Sequence, residues 1–268
     1  MKILALVTGA SRGFGYSIVD QLIKETTNRL PNDDDDGASS DQNSIVIDLY
    51  LYARSLGNLE STEKMVREQF NNKSINVLVN KFAIDFCDIQ DTEIAFRNSL
   101  INIEFKDYQK VIFFNNHGAL SILKRVDSLS NFKQISNDIH SNLTSFVVTN
   151  SIFMEKIKEQ NNPILPNTSF FLINVSSLAA IKAYDAWSIY CSAKAGYALN
   201  YAPGPMDTDM QAEIRANTVD QESKRHWVDM KDSGKLVCPF DSASKLVRLI
   251  FDNNFESAAH IDYYDQEW

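Results

Sequence analysis

The chain has 268 residues, of which 44% are hydrophobic and 23% charged, and its formal net charge is −9. This length and composition fit one globular α/β domain with a substantial core. The negative charge argues against a surface that binds nucleic acid or an anionic membrane.

The cysteines and histidines indicate neither a disulfide framework nor a metal site. Cys87, Cys191 and Cys238 have no paired spacing, which is typical of a reducing, intracellular setting. The four histidines form no metal-ligand pattern with them or with each other. Because no apolar run approaches the length of a membrane span or a signal peptide core, we expect a cytosolic protein.

The N-terminal segment predicts a strand, a glycine-rich turn and a helix. Residues 3–7 are all apolar, as in a buried parallel strand, and an amphipathic segment follows the turn. Glycines admit a tight turn and let backbone N–H groups approach a pyrophosphate, so this order predicts a dinucleotide site. An ordinary turn is the alternative, since the spacing is Gly-x-x-x-Gly-x-Gly. The candidate cofactor residues are Gly9, Ser11, Arg12, Gly13, Phe14 and Gly15.

A polar stretch over residues 29–43 contains four consecutive aspartates. A metal or partner site is one reading, and a solvated insertion between a helix and a strand is the one we favour. We expect this acidic insertion to be mobile and dispensable.

The second predicted strand, residues 44–53, ends at Arg54 and Ser55. An acidic residue at that tip would bind a ribose 2′-hydroxyl, whereas an arginine accommodates a 2′-phosphate. Arg54, with help from Arg12, therefore predicts NADP(H) rather than NAD(H). The alternative is an exposed loop arginine.

The middle of the chain predicts a helix at 59–70, a strand at 75–84, a helix at 94–105 and a strand at 111–114. Asp85, which precedes Phe86, either accepts a hydrogen bond from an adenine or caps the local backbone. Asn116 and His117 follow the fourth strand, where polar residues suit the ligand crevice of a doubly wound sheet. His117 has no partner in the sequence, so we expect a packed or solvated side chain.

The strongest chemical signal lies after a long predicted helix at 132–158, which Asn142 interrupts, and a strand at 170–175. Tyr190 and Lys194 are four residues apart, so on a helix they share one face. An ammonium beside a phenol stabilises the phenolate and lowers its pKa, which makes the phenol a general acid. Ser177 could hold a substrate oxygen there. A surface contact between tyrosine and lysine is the alternative.

The C-terminal part predicts a sixth strand ending near Pro203 and Gly204, a helix starting near Thr208, a helix at 246–251 and a strand at 259–264. Thr208 is either a ligand for a nicotinamide carboxamide or an ordinary helix-start residue. Asn142 is either a surface residue or one that orders a water behind Lys194.

These segments resemble the short-chain dehydrogenase/reductase family over nearly the whole chain. The resemblance implies one Rossmann-like doubly wound domain over residues 1–268, with a mostly parallel seven-stranded sheet. It also implies NADP(H) binding by the turn, by Arg54 and by the segment around Asn116, in which His117 replaces the usual alanine. The catalytic set that it implies is Ser177, Tyr190, Lys194 and Asn142. The further cofactor residues that it implies are Ser55, Asp85, Phe86, Asn116, Tyr190, Lys194, Pro203, Gly204 and Thr208.

Three segments, residues 190–195, 200–211 and 259–265, resemble the members of the family that reduce pterins of the sepiapterin type. This implies reduction of a pterin side-chain ketone in tetrahydrobiopterin synthesis, by a cytosolic homodimer. The alternatives are a broader NADPH carbonyl or diketone reductase and a non-catalytic dinucleotide-binding protein. By the same resemblance, the substrate residues are Ser177, Trp187, Tyr190, Cys191, Gly204, Met210 and Asp262.

The connection after Lys194 is short, since Pro203 follows only nine residues later. The family pattern would place roughly twenty more residues near Gly196. Two alternatives follow: either the sequence as given omits a segment here, or the helix after the lysine is shortened, with a damaged sheet and a weakened dimer.

Overall fold

The computed structural model describes residues 1–29, 45–69, 75–120, 122–160, 167–181, 184, 186–195, 200–253, 255 and 259–265. Apart from Arg29, the acidic insertion predicted over residues 29–43 lies outside the described residues.

In the described part of the chain, seven strands form one sheet in the order β3-β2-β1-β4-β5-β6-β7, and every neighbouring pair is parallel. The doubly wound α/β fold is thus confirmed, with a sheet that is wholly rather than mostly parallel. The strand order reverses between β1 and β4, where such sheets open a ligand crevice at their carboxyl ends. The strands are β1 (Lys2–Thr8), β2 (Ile45–Ala53), β3 (Ile75–Ala83), β4 (Lys110–Asn115), β5 (Ser169–Val175), β6 (Asn200–Ala202) and β7 (His260–Asp262).

Nine α-helices lie in the described ranges, and none of them is long and apolar enough to cross a membrane. The helices are α1 (Gly13–Asn28), α2 (Glu60–Gln69), α3 (Ile89–Leu100), α4 (Phe132–Ile139), α5 (Ser145–Gln160), α6 (Ser188–Ala195), α7 (Asp209–Asn217), α8 (Gln221–Asp232) and α9 (Pro239–Asp252).

Three helices depart from the sequence prediction. Helix α3 begins five residues before the predicted start, because the Asp88 carboxylate caps it by accepting from the N–H of Asp91 at 3.0 Å. Helix α9 begins at Pro239, in the first-turn position that proline favours, rather than at Leu246. Helix α8 was not predicted, since it is strongly polar and Trp227 is its only residue that is fully buried.

Both faces of the sheet are covered, which explains the continuous apolar run in β1. Ile3, Ala5 and Val7 pack in one core with residues of α1 and α9. Leu4 and Leu6 point to the other face, into a core rich in phenylalanine. A strand buried on both sides shows no alternation of apolar and polar residues.

The long helix predicted over residues 132–158 is divided by a π-helical turn, His140–Thr144, between α4 and α5. Asn142 lies in this turn and is 1% exposed. The interruption predicted at Asn142 is therefore present, and π turns often mark functional sites.

The shortened helix after the lysine is also present, because α6 has eight residues and ends at Ala195. Strand β6 begins at Asn200, and residues 196–199 between them lie outside the described residues. The alternative of a damaged sheet is not met, since β6 pairs with β5 on one side and with β7 on the other. Strand β6 is only three residues long.

Candidate active site

The glycine-rich turn between β1 and α1 has a backbone that only glycine fits. Gly9 and Gly13 have φ angles of +65° and +56°, which side-chain-bearing residues rarely adopt. A Cβ atom on Gly15 would overlap the Gly9 carbonyl and lie 2.7 Å from the amide nitrogen of Asn116. The turn therefore has the tight form and the close backbone approach that a pyrophosphate site requires.

The N-terminus of α1 is open to an anion. Arg12 occupies the cap position without a side-chain capping bond, and the first turn contains no acidic residue. The first backbone N–H groups of a helix have no partner within the helix, and the helix dipole favours negative charge beside them. The side chain of Phe14 is buried against Tyr201, so Phe14 offers a ligand only its backbone.

The two arginines predicted near a 2′-phosphate have different surroundings. Arg54 is exposed at the end of β2, beside the exposed Ser55, and makes no ion pair within the described residues. The guanidinium of Arg12 instead donates to Asp209 at 2.9 Å, and both side chains are largely exposed. Arg54 is thus the basic group left open to a phosphate, while Arg12 is shared with α7.

Two further predicted cofactor residues, Thr208 before α7 and Ser11 in the turn itself, lie at the glycine-rich turn. The Thr208 methyl lies 3.7 Å from the position that a Cβ on Gly13 would take, and the Thr208 hydroxyl does not cap α7. The Ser11 side chain is partly buried in the turn itself. The hydroxyl of Thr208 is therefore not used by the helix that it precedes.

The segment after β3 separates the two predictions made for Asp85. The Asp85 carboxylate accepts from the backbone N–H of Cys87 at 3.1 Å. It therefore caps the local backbone, which was the alternative to a bond with an adenine. Phe86 is buried and stacks on the His117 ring with 3.7 Å between centroids.

His117 is packed, as expected, and not solvated. Its Nδ1 lies 3.0 Å from the Thr8 hydroxyl and its Nε2 lies 2.7 Å from the Ser145 hydroxyl. Burial, with a smaller effect of Lys194, holds the pKa of His117 well below its usual value. The neighbouring Asn116 donates from its amide to the Thr8 carbonyl at 2.9 Å, which fixes the end of β4 beside the turn.

Gly118 brings two of the predicted catalytic residues together. A Cβ on Gly118 would lie 3.0 Å from Oδ1 of Asn142 and 3.7 Å from Nζ of Lys194. The Asn142 amide donates to the carbonyls of Ala119 and Asp138 at 2.7 and 2.9 Å, and its Oδ1 accepts from the N–H of Ala119 at 3.0 Å. These bonds hold the π turn against the segment that follows β4.

Ser177, Tyr190 and Lys194 converge at the carboxyl end of β5. The hydroxyls of Ser177 and Tyr190 share a hydrogen bond. Lys194 is 3% exposed and donates from Nζ to the Val175 carbonyl at 3.2 Å. Its Nζ also lies 5.7 Å from the centroid of the Tyr190 ring. The spacing in sequence thus produces the clustering in space that was predicted for these residues.

The charges in this cluster differ from the expectation. Burial raises the pKa of Tyr190 to about 12, although the bond with Ser177 partly opposes this. Burial also lowers the pKa of Lys194 to about 7. The expectation that Lys194 lowers the pKa of Tyr190 is therefore not met, because burial favours the neutral form of both groups. At neutral pH Tyr190 carries its proton and can donate it.

Four of the predicted substrate residues, including Tyr190, lie in one aromatic cluster. Trp187, Cys191 and Met210 pack in the same cluster as Tyr190. Trp187 stacks on Trp227 of α8 with 5.6 Å between centroids and 10° between planes. Burial raises the pKa of the Cys191 thiol, so this thiol is protonated at neutral pH.

Sequence reasoning missed Trp227 and Tyr184, which complete this cluster. Tyr184 lies 4.9 Å from Trp187 and 5.6 Å from Trp227 between ring centroids. The one available signal was the occurrence of Trp227, a large aromatic residue, in an otherwise polar segment. That signal does not reveal which distant residue they pack against.

Asp262 lies at the end of β7, close to the aromatic cluster. Its Oδ1 accepts from the N–H of Tyr264 at 3.0 Å, and the side chain is partly exposed. Burial, Cys191 and the charge of Asp262 together raise the pKa of Tyr184, which places the carboxylate within electrostatic reach of the cluster.

Pro203 and Gly204 turn the chain between β6 and α7. The Pro203 carbonyl accepts from the Ser242 hydroxyl at 2.9 Å, and Gly204 has a φ of +78°. The predicted cofactor, catalytic and substrate residues therefore border one edge of the sheet. Within the described residues, no group of histidine, cysteine and acidic side chains could hold a metal ion.

Curated proteins similar to this chain are carbonyl reductases. The chain is 29% identical to sepiapterin reductase of Xenopus tropicalis over 280 residues, which covers 98% of this chain and 97% of that protein. It is 33% identical to sepiapterin reductase of Bos taurus over 174 residues, covering 59% and 63% of the two chains. It is 25% identical to benzil reductase ((S)-benzoin forming) of Bacillus cereus, covering 92% and 93%. No protein-family model matches the chain.

Solved structures share the fold. The crystal structure of the KRED1-Pglu enzyme superposes with a TM-score of 0.69 at 23% identity, covering 96% of this chain and 99% of that one. A variant of actinorhodin polyketide ketoreductase, crystallised with NADPH, gives 0.70 at 18% identity, covering 98% and 95%. At these identities the likeness establishes the fold.

Proposed function

We propose that the chain is a short-chain dehydrogenase/reductase and that it uses NADP(H) to reduce the side-chain ketone of a pterin. The similarity to sepiapterin reductases along nearly the whole chain supports this proposal. The observation that carries it is the carboxylate of Asp262 at the end of β7, whose charge acts on Tyr184 of the aromatic cluster that contains Tyr190.

The residues of the turn fit the dinucleotide. Gly9, Gly13 and Gly15 would admit the pyrophosphate at the start of α1, and the exposed Arg54 would hold the 2′-phosphate. Thr208 would hold the nicotinamide end, because its hydroxyl is not used as a helix cap. When bound, NADPH supplies the hydride.

The protein supplies position and a proton. Tyr190, with its pKa near 12, holds the proton that the carbonyl oxygen receives, and Ser177 orients that oxygen through the hydroxyl pair. Lys194 would hold the ribose next to the reacting groups. Asn142 would place the water from which Tyr190 is reprotonated.

The lowered pKa of Lys194 predicts that kcat/KM for NADPH depends on pH. With a pKa near 7, the ammonium form is present below pH 7 and is lost as the pH rises through that value. Because kcat/KM reports the free enzyme, kcat/KM for NADPH should fall above pH 7, approaching about tenfold per pH unit. Steady-state kinetics between pH 6 and 9 will test this. A profile that stays flat over that range contradicts a role for the Lys194 charge.

Asp262 would recognise the pterin ring. A carboxylate can accept two parallel hydrogen bonds, and the 2-amino group and the adjacent ring N–H of a pterin donate such a pair. The aromatic cluster around Trp187 would pack against the faces of the ring.

The variant Asp262→Asn tests this recognition. It keeps an oxygen for the N–H of Tyr264 but cannot accept two bonds from the substrate. We expect kcat/KM for sepiapterin to fall about 10- to 100-fold, as for a lost charged hydrogen bond, and kcat/KM for benzil to stay within about twofold.

The matched control is Asp265→Asn, an exposed carboxylate three residues further on whose oxygen also accepts a backbone N–H. This control variant should leave kcat/KM unchanged for both sepiapterin and benzil. If kcat/KM of Asp262→Asn falls equally for both substrates, Asp262 supports the fold of the site and does not bind the pterin.

A second candidate function is the reduction of aromatic diketones, with pterins as incidental substrates. The similarity to benzil reductase of Bacillus cereus and the Trp187–Trp227 stack favour it. A third, a non-catalytic dinucleotide-binding protein, would bind NADPH without turnover. For the pterin reductase we propose a cytosolic homodimer that acts in tetrahydrobiopterin synthesis, and the short α6 makes dimer strength the feature to measure.

A further inference from the structure

Gln211 is a buried amide without a hydrogen bond. It is 4% exposed, and neither its Oε1 nor its Nε2 has a hydrogen-bond partner among the described residues. Burying an amide without partners is costly, and such groups are rare in folded proteins. Most of the other unpartnered buried polar atoms in the described chain lie on α6, α7 and α8 or next to them: Trp187 Nε1, Ser188 Oγ, Arg215 Nη1, Thr218 Oγ1 and Trp227 Nε1.

Gln211 lies where the cofactor turn meets the aromatic cluster. Its neighbour Met210 packs against that cluster, and Ile214, one helical turn on, belongs to it. Thr208, at the start of the same helix, packs against Gly13 of the turn. Residues three apart on a helix share a face, so Gln211 borders the cluster that contains Trp187 and Tyr190.

We propose that Gln211 is a substrate-specificity residue that pairs with a donor and an adjacent acceptor on a heterocyclic ring. Its amide offers one acceptor oxygen and two donor hydrogens, so it can satisfy both groups at once. Asparagine and glutamine read the edge of adenine in the same bidentate way. This inference rests on the proposed function and extends the recognition that Asp262 provides.

The two polar residues divide the recognition. The ionised carboxylate of Asp262 only accepts hydrogen bonds, whereas Gln211 both accepts and donates. A pterin ring offers N–H donors next to carbonyl and ring-nitrogen acceptors. A diketone such as benzil offers acceptors only and would leave the Gln211 oxygen unpaired. A buried polar group left unpaired in this way discriminates strongly against the wrong substrate.

The test compares Gln211→Leu with a matched control, Thr218→Val. Thr218, the residue that directly follows α7, is 2% exposed, and its hydroxyl also has no partner among the described residues. Both variants remove a buried polar group without a partner, so both should unfold at the wild-type temperature or above it. Gln211→Leu should lower kcat/KM for sepiapterin at least tenfold and change that for benzil less than twofold, while Thr218→Val changes neither.

Gln211→Met, which keeps the length of the side chain, replaces Gln211→Leu if the leucine variant does not fold. Binding of biopterin, measured by titration calorimetry in the presence of NADP⁺, gives a second readout and should weaken to the same degree.

Three results overturn the inference. In the first, Gln211→Leu or its replacement keeps wild-type kcat/KM for sepiapterin. In the second, kcat/KM falls equally for sepiapterin and for benzil. In the third, Thr218→Val lowers kcat/KM for sepiapterin as much as Gln211→Leu does. If the wild-type protein reduces no pterin, the proposed function fails and the assignment of Gln211 fails with it. If the wild type reduces sepiapterin and the variant does so equally well, only the assignment of Gln211 fails.

Discussion

Replacing Tyr190 with phenylalanine is expected to lower kcat for ketone reduction by about 100- to 10,000-fold, the range that a general acid contributes. The buried Tyr190 hydroxyl carries its proton at neutral pH and bonds to Ser177, so it is the group positioned to protonate the substrate oxygen. Phenylalanine fills the same space without that proton. The affinity for NADPH should stay within about twofold, since the cofactor turn is untouched.

Single-turnover kinetics and a fluorescence titration of NADPH separate the two effects. The control is Tyr16→Phe, at a partly buried tyrosine of α1 that packs against Phe240 away from Ser177. It should keep wild-type kcat. A Tyr190→Phe protein that loses NADPH binding, or that keeps its turnover, contradicts the role given to this hydroxyl.

Replacing Gly15 with alanine is expected to weaken NADPH binding at least about 100-fold, because the added methyl group displaces the backbone that a pyrophosphate contacts. The new Cβ would overlap the Gly9 carbonyl and press on the Asn116 amide. Overpacking of this kind also destabilises a core by about 1–3 kcal/mol. Thermal unfolding and NADPH titration measure the two consequences.

The matched control is Gly57→Ala, because a Cβ on Gly57 meets no atom within 4 Å and its φ is not positive. That substitution should leave NADPH affinity unchanged and should raise the free energy of unfolding by about 0.4–1 kcal/mol, since alanine restricts the unfolded chain. If Gly15→Ala binds NADPH as well as Gly57→Ala does, the turn does not hold the cofactor as proposed.

The sequence predicted the sheet and the clustering of the catalytic residues for clear physical reasons. The strands are buried on both faces, so they appear as apolar runs in the sequence. The four-residue spacing of Tyr190 and Lys194 fixes their shared helix face. The expected N-terminal turn is equally local, because its glycines hold backbone angles that other residues resist.

The pKa values of Tyr190 and Lys194 depend on burial by distant residues, which the spacing of the two residues in the sequence does not reveal. Lys194 donates to the Val175 carbonyl, a residue nineteen positions earlier, and is buried almost completely. Burial then dominates the pKa of both Lys194 and Tyr190. In the same way, the burial of Gln211 and the ring contacts of Trp227 are set by how α7 and α8 pack, and a polar helix gives little sign of that in its sequence.

The short connection after Lys194 changes the fold less than its length implied. The sheet continues through β6 to β7, which carries Asp262 to the edge where Ser177 and Tyr190 lie. The element that is shortened is β6, which has only three residues. The terminal strand therefore depends on a narrow connection to the rest of the sheet.

Our central proposal is that this protein reduces a pterin. The most direct test compares two substrates of the purified wild-type protein. With saturating NADPH, kcat/KM is measured for sepiapterin and for benzil. We expect kcat/KM for sepiapterin to be at least about tenfold higher than for benzil, since Asp262 and Gln211 would each add a polar contact that a diketone cannot make. Equal or higher efficiency with benzil would contradict it and would favour a general diketone reductase.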